Sequence, residues 1–319
     1  MYAEALRPEV IQPFSPCVDP FLAFETENYR VFFKPSGMHS LPPPRSGRGK
    51  SFAAAKAKNP IDDEDGLEEG REDLLSWVRA TLIAHSDPFA AETGKEDTIY
   101  RRVGGELGML SRLDRDTSGL VAFARSPEVF FHAQKAQALG RTSKRYWLLA
   151  REALHEEGLI GSTPRLLSWI EGDPVLAGRE FSLECHFRSY GQRGYRVACL
   201  APEIFRAGLG RKKKNASPAL YRSSFQPLSC LPAGLMEEGW PGIPGLIAME
   251  ASISAGFRHQ IRAHMAWCGH PIAGDSLYGA QDDHEYASGL GARLFLECHR
   301  IELESPDGGR EIFELAKCP

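Results

Sequence analysis

Residues 111–125 read SRLDRDTSGLVAFAR and set a single carboxylate, Asp114, between Arg112 and Arg115. Thr117-Ser118-Gly119 follows, then the apolar run Leu120-Val121-Ala122-Phe123-Ala124. A polar turn leading into an apolar run of strand length reads as a loop feeding a buried strand. Two readings of Asp114 fit that position. One is a salt-bridged aspartate in a surface turn. The other is a reaction centre, in which neighbouring guanidinium groups push the carboxyl pKa down and keep it a charged nucleophile or electrostatic stabiliser.

The stretch after it supports a mixed architecture. In SPEVFFHAQKAQALG (126–140), Ser126 suits an N-cap, Pro127 the first helical position and Glu128 the positive end of the dipole. Val129, Ala133 and Ala136 recur at helical spacing, and Gly140 is placed to end the helix. SKRYWLLA (143–150) then reads as a strand carrying Tyr146, Leu148 and Ala150 on one face. Strand, helix and strand within some thirty residues argue for α and β elements in one layered domain.

Elsewhere, strands are expected at Arg30–Phe33, near 181–187 and 194–200, and at Leu246–Ser254, Leu294–Cys298 and Glu311–Ala316. GFRHQIRAHMAWCGHP (256–271) predicts a helix entered through Gly256 and stopped by Gly269 and Pro271. On it His259 and Arg262 share a face, with Ile261, Met265 and Cys268 as an apolar stripe. Residues 1–28 read as an N-terminal arm, and 42–98 and 152–245 as insertions into a domain running from 29 to 319.

The totals exclude several classes. A net charge of −4 over 319 residues argues against a protein that coats nucleic acid non-specifically. Locally the picture differs: residues 56–97 hold twelve acids against five cations, a balance of −7, whereas 101–151 hold ten cations against four acids, a balance of +6. Six further cations and no acid lie in 206–222, including GRKKKN (210–215). A polyanion thus has a basic face to meet. Seven scattered cysteines without a C-x-x-C pair fit a reducing cytoplasm better than a disulfide scaffold or metal knuckle. No apolar run is long enough to span a bilayer. His259, His264, His270 and Asp275 offer metal-ligating chemistry, but their spacing matches no zinc signature. Tyr146, beside Lys144 and Arg145, has the aromatic-next-to-cation character of single-stranded RNA sites, or else is a core tyrosine.

Taken in order, four segments resemble the RluA family of RNA pseudouridine synthases. SRLDRDTSGLVAFAR is similar to that family's R-L-D-x-x-T-S-G signature and strand, and KPSGMHSLP (34–42) to its K-P-x-G element. KRYWLL (144–149) resembles its K-x-Y strand, and GFRHQIRAHMAWCGHPIAGDSLYG (256–279) its G-R-T-H-Q-I-R-x-H segment with the G-H-P-I-x-G-D tail. The resemblance implies an α/β (α+β) fold, a mixed and largely antiparallel sheet flanked by helices. It implies isomerisation of uridine in ribosomal or transfer RNA, with no cofactor and no metal, in a protein for which a monomer suffices. Asp114 would be the catalytic aspartate and Arg262 its partner. Tyr146 would pack on the target base and take a proton from the sugar. Arg112, Arg115, Thr117, Ser118, Gly119, Lys144, His259 and Gln260 would shape the turn or grip the RNA. Ser111, where the family often has His, and Phe257-Arg258, where it has Arg-Thr, depart from the pattern. The rival readings are a silent RNA-binding protein of the same fold and a metal-dependent hydrolase built on His259, His264, His270 and Asp275.

Overall fold

Three apolar runs, Phe21–Glu25 (β1), Tyr29–Lys34 (β2) and Ser118–Ala124 (β3), pair antiparallel in sequence order and start a single sheet. The computed structural model describes residues 19–42, 73–84, 106–152, 173–191, 194–206, 216–228, 245–279 and 293–315. Most of the 42–98 insertion and the GRKKKN segment lie outside these residues. The remaining strands are Ser143–Arg151 (β4), Phe181–Tyr190 (β5), Arg196–Leu200 (β6), Tyr221–Pro227 (β7), Leu246–Ile253 (β8), Leu296–Glu304 (β9) and Arg310–Glu314 (β10). Their order across the sheet is β1-β2-β3-β9-β4-β8-β7-β5-β6, with β10 also on β9. Among the described strands all pairings are antiparallel except β3 with β9, which meet at Ser118↔Glu297 and Gly119↔Cys298. The fold is therefore the mixed, largely antiparallel α+β architecture expected.

The helices are Leu74–Ala84 (α1), Pro127–Ala138 (α2), Pro202–Arg206 (α3) and Gln260–Trp267 (α4). Among the described residues none is long and apolar enough to cross a membrane. In α2 the expected cap is present: Ser126 Oγ accepts from the Val129 N–H at 3.2 Å, and Val129, Phe130, Ala133 and Ala136 are buried. Every residue of β3 is buried. Successive side chains point to opposite faces, so both faces of β3 are covered, which is why its sequence is an unbroken apolar run rather than an alternating one.

Four elements escape the sequence reading. β1 falls in the stretch read as an arm, β7 and the short α3 in the poorly patterned 152–245 region, and α1 in the acidic insertion. α1 is capped by Asp73, whose carboxylate accepts from the Ser76 N–H at 3.0 Å, and it buries Leu74 and Val78. Its Trp77 meets Phe32 edge to face.

Two features of the sheet place the site. Residues 108–110 run back along β3, with Leu110 N–H donating to Ala122 O at 2.9 Å and Met109 bridged to Phe123, so 111–117 is the loop of a chain reversal. On β9, Cys298 is the register partner of both Gly119 on β3 and Tyr146 on β4. Gly119 has φ +114, and a Cβ there would collide with the Cys298 backbone. Gly119→Ala should therefore cost about 2–4 kcal/mol, from a disfavoured φ and a forced separation of β3 from β9. The check is the urea midpoint at unchanged m-value; a wild-type midpoint would contradict the close approach.

Candidate active site

The loop 111–117 is held from below by KPSGMHS (34–40). Lys34, fully buried, donates from Nζ to the carbonyls of Pro35 (2.9 Å), Met38 (2.7 Å) and Arg115 (2.9 Å). Ser36 Oγ donates to Asp116 O at 2.7 Å, and the Gly37 N–H to Arg115 O at 3.0 Å. Ser40 Oγ accepts from the Leu113 N–H at 3.1 Å and donates to Leu113 O at 2.8 Å. Asp114 is thus bracketed on both sides, and Thr117 N–H closes the turn onto Asp114 O at 3.2 Å. Burial pushes the Lys34 ammonium down to about 7, against the pull of Asp116 and Asp114. Three carbonyl acceptors suit an ammonium, which has three donors and no acceptor.

A cleft of about 260 Å³ opens over this turn. Its lining brings together Asp114, Tyr146 and Arg262 with Arg112, Arg115, Thr117, Lys144, His259 and Gln260. Of the expected site residues only Ser118 and Gly119 do not line it. The Ser118 hydroxyl instead donates to Glu297 Oε2 at 2.9 Å, and Gly119 makes the approach to β9. Arg112 is exposed at the rim.

The charge on Asp114 differs from the expectation. Its pKa is raised, because loss of hydration outweighs the opposing fields of Arg262 and Arg258. Of the arginines expected to depress it, sequence neighbours or a distant one, the distant Arg262 and Arg258 act on it most, not Arg112 and Arg115. Nor does Arg262 form the expected direct pair. Its Nε and Nη2 donate to Asp275 Oδ2 and Oδ1 at 2.8 and 2.7 Å, both side chains being buried. Asp275 also accepts from the N–H groups of Leu277 (2.9 Å) and Tyr278 (3.1 Å), which with Arg262 hold its carboxyl below the usual range despite burial. Arg262 acts on Asp114 through its field alone.

Tyr146 is buried, and burial, Cys298 and Asp114 all push its phenol well above its ordinary pKa. It is a neutral phenol at physiological pH, hydrogen-bonded to the Cys298 thiol. That opposes a resting role as proton acceptor and leaves it as an aromatic wall. Thr117 lines the cleft, and its Oγ1 is buried without a hydrogen-bond partner.

At the start of α4, His259 adopts φ +54, and its Nδ1 lies 3.0 Å from the Tyr278 hydroxyl, which itself accepts from the Val197 N–H at 2.9 Å. Burial and the two arginines hold this imidazole well below its usual pKa, hence neutral. Gln260 Oε1 accepts from the Phe257 N–H at 3.0 Å, while its Nε2 donates to Arg222 O (2.9 Å) and Ser223 Oγ (3.0 Å), tying α4 to β7. The four groups of the hydrolase reading have separate partners: Tyr278 for His259, Ser223 and Cys185 for His264, Asp173 and Arg151 O for His270, Arg262 for Asp275. Sequence reasoning missed Lys34, Ser40 and Arg258 as parts of the site. Arg258 was visible only as a departure from a pattern.

Comparison with known proteins agrees with this geometry. Residues 28–166 match the family model for RNA pseudouridylate synthase. The tRNA pseudouridine synthase C of Vibrio parahaemolyticus is 24% identical over 201 residues, 63% of this chain and 65% of that protein. The ribosomal large subunit pseudouridine synthase C of Haemophilus ducreyi is 42% identical over 72 residues, 22% of each chain. Among solved structures, human RNA pseudouridylate synthase domain containing 1 aligns with a TM-score of 0.49 at 14% identity, covering 94% of this chain and 83% of that one. The family model covers residues 28–166 of this chain, and the chain spans about 65% of the length of the tRNA pseudouridine synthase C relatives that it matches.

The Arg262–Asp275 pair makes a stability prediction. Asp275→Asn should cost about 3–5 kcal/mol, because a buried guanidinium loses its counter-ion. An Arg262→Met, Asp275→Leu double variant should recover most of that loss, since neither charge then remains buried. Denaturant titration of the wild type, Asp275→Asn, the double variant and its two single components Arg262→Met and Asp275→Leu measures both, and additive losses of the two components would refute the coupling.

Proposed function

We propose that this protein converts uridine to pseudouridine within structured RNA, ribosomal or transfer, with Asp114 as the catalytic carboxylate. The observation that carries the reading is the placement of Asp114: bracketed by the 34–40 loop, open to the cleft beside Tyr146, and in the fields of Arg262 and Arg258.

Cleavage of the bond between the ribose anomeric carbon and N1 of uracil builds positive charge on the sugar and negative charge on the base. A fixed carboxylate attacks or stabilises the sugar, as in retaining glycosidases, and the arginines favour the base while it is anionic. The uracil rotates and rejoins through C5; the C5 proton leaves and N1 gains one, so the product is an isomer. No electron is transferred, and no redox cofactor enters the step. Tyr146 packs on the base, and the Thr117 hydroxyl offers it or the sugar a hydrogen bond. The uridine must leave its stack to reach the cleft, so base flipping is part of the reading. Arg112, Arg115 and Lys144 meet the flanking backbone, where phosphate contacts position the strand.

The test is tritium release from ribosomal and transfer RNA transcripts labelled at C5 of uridine. Wild type should release tritium from one class of transcript, and Asp114→Asn should release none while still binding it. Equal release by both would end this assignment. RNA retained without any release by wild type would favour the silent binding protein.

The raised pKa of Asp114 gives a second expectation, in which the sign matters. A carboxyl with a folded pKa above its unfolded value of 3.8 binds more protons when folded, so stability falls as pH rises through that window and stays lower above it. Asp114→Asn should therefore be more stable than wild type at neutral pH, with the difference fading as pH approaches 3.8. The wild-type rate should fall on acidification at a pH above the ordinary aspartate range. Thermal melts at stepped pH and a single-turnover pH profile check the two halves.

A further inference from the structure

Where β5, β6 and α4 meet, two thiols and an imidazole converge. Cys185 on β5, Cys199 on β6 and His264 on α4 are each fully buried, and their donor atoms all lie within 4.8 Å of one another. Cys185 Sγ is 3.2 Å from His264 Nε2. The other ring nitrogen, Nδ1, is 2.9 Å from Ser223 Oγ, which Gln260 Nε2 also reaches at 3.0 Å. We propose that Cys185, Cys199 and His264 form a structural binding site for a thiophilic divalent cation, Zn²⁺.

The donor set is the first argument. Thiolate sulfur and imidazole nitrogen together select zinc among the common divalent ions, whereas Mg²⁺ and Ca²⁺ take oxygen. Charge is the second: two thiolates and a neutral imidazole cancel Zn²⁺, so the filled site leaves no net charge in the core. The outer contact is the third. A ligating histidine ordinarily donates its other N–H to a neighbouring acceptor, and Ser223 Oγ stands at that place. Metal binding displaces the two thiol protons to solvent, and the imidazole proton resides on Nδ1 as Nε2 takes the metal.

A disulfide between the two cysteines is the competing use of this sulfur pair. It gives no role to His264, whose Nε2 points at Cys185, and full burial shields both thiols from an oxidant. The metal instead clips three elements together. β5 and β6 end the sheet order, and α4 carries Gln260 and Arg262 to the cleft. The site lies outside the proposed reaction and does not depend on it.

The experiment uses the full chain, purified under reducing conditions. Metal content is measured by mass spectrometry, and the metal-free protein is titrated with Zn²⁺ and with Co²⁺ as a coloured probe. One ion per chain, a thiolate-to-cobalt charge-transfer band, and a rise in thermal midpoint on adding Zn²⁺ are expected. Cys185→Ser and Cys199→Ser should each lose at least tenfold in affinity along with the thermal rise, whereas Cys268→Ser should keep both. If a serine variant fails to fold, the wild-type band decides, since its intensity counts bound thiolates. Two thiolates support the site. No band, a band unchanged in both serine variants, or a molecule two mass units lighter that takes up no metal would overturn it. Zn²⁺ uptake by Asp114→Asn, with tritium release already lost, separates this result from the catalytic one.

Discussion

The bidentate pair between Arg262 and Asp275 is the interaction on which the site depends. A guanidinium beneath a cleft is costly to bury alone, and here every element of its compensation is local. Asp275 takes both ends of the fork and two backbone N–H groups, and the guanidinium lies 5.6 Å over the Tyr278 ring. The segment carrying Asp275 is docked in turn on the sheet: Ala150 bridges Ile272, and Ala273 N–H donates to Leu149 O at 2.9 Å. The position of the cation relative to Asp114 is therefore set by β4, which also supplies Tyr146. One strand registers the aromatic lining of the cleft and, through this pair, the buried cation beside it.

Asp114 itself is placed by a different device. The loop that carries it has no strand partner between Ser111 and Thr117, so its backbone groups need acceptors and donors from elsewhere. They come from residues some seventy to eighty positions earlier, through Lys34, Ser36, Gly37 and Ser40. β2 and β3 are register partners, Lys34 opposite Gly119, so the two loops leave the sheet side by side. The K-P-S-G and R-L-D segments are thus halves of one structure, and α1 seals it, with Leu74 N–H donating to His39 O at 2.9 Å.

This explains which parts were legible in the sequence. Local patterns gave α2 with its Ser126 cap, β3 as a continuous apolar run, and α4 with its stop at Gly269, because each is decided by near neighbours. The four motif segments located nearly all of the cleft because the fold brings them together: KPSG runs out of β2, SRLD leads into β3, KRYWLL lies in β4 and GFRHQ leads into α4. What escaped was non-local. β7 carries Ser, Gln and Pro and becomes a strand because β5 and β8 flank it. α1 sits among acids, and its apolar face shows only against Phe32. The sign of the Asp114 shift could not be read from Arg112 and Arg115, since burial, absent from a sequence, exceeds their influence. The choice of Asp275 as the partner of Arg262 needed the fold as well. Thirteen residues separate them, and both had plausible uses elsewhere.

The division of labour between the two acids has a chemical consequence. Had Arg262 gripped Asp114 directly, the carboxylate oxygens would be engaged in two strong hydrogen bonds and poorly available to a sugar carbon. Giving the fork to Asp275 leaves Asp114 with the field of the arginine and not its hydrogen bonds. The carboxylate is then under-compensated in the resting protein, which is what its raised pKa records. A positive charge developing on a bound ribose would supply the missing compensation. Under the proposed function, the same desolvation that destabilises the empty site would become, in the transition state, a force that favours reaction.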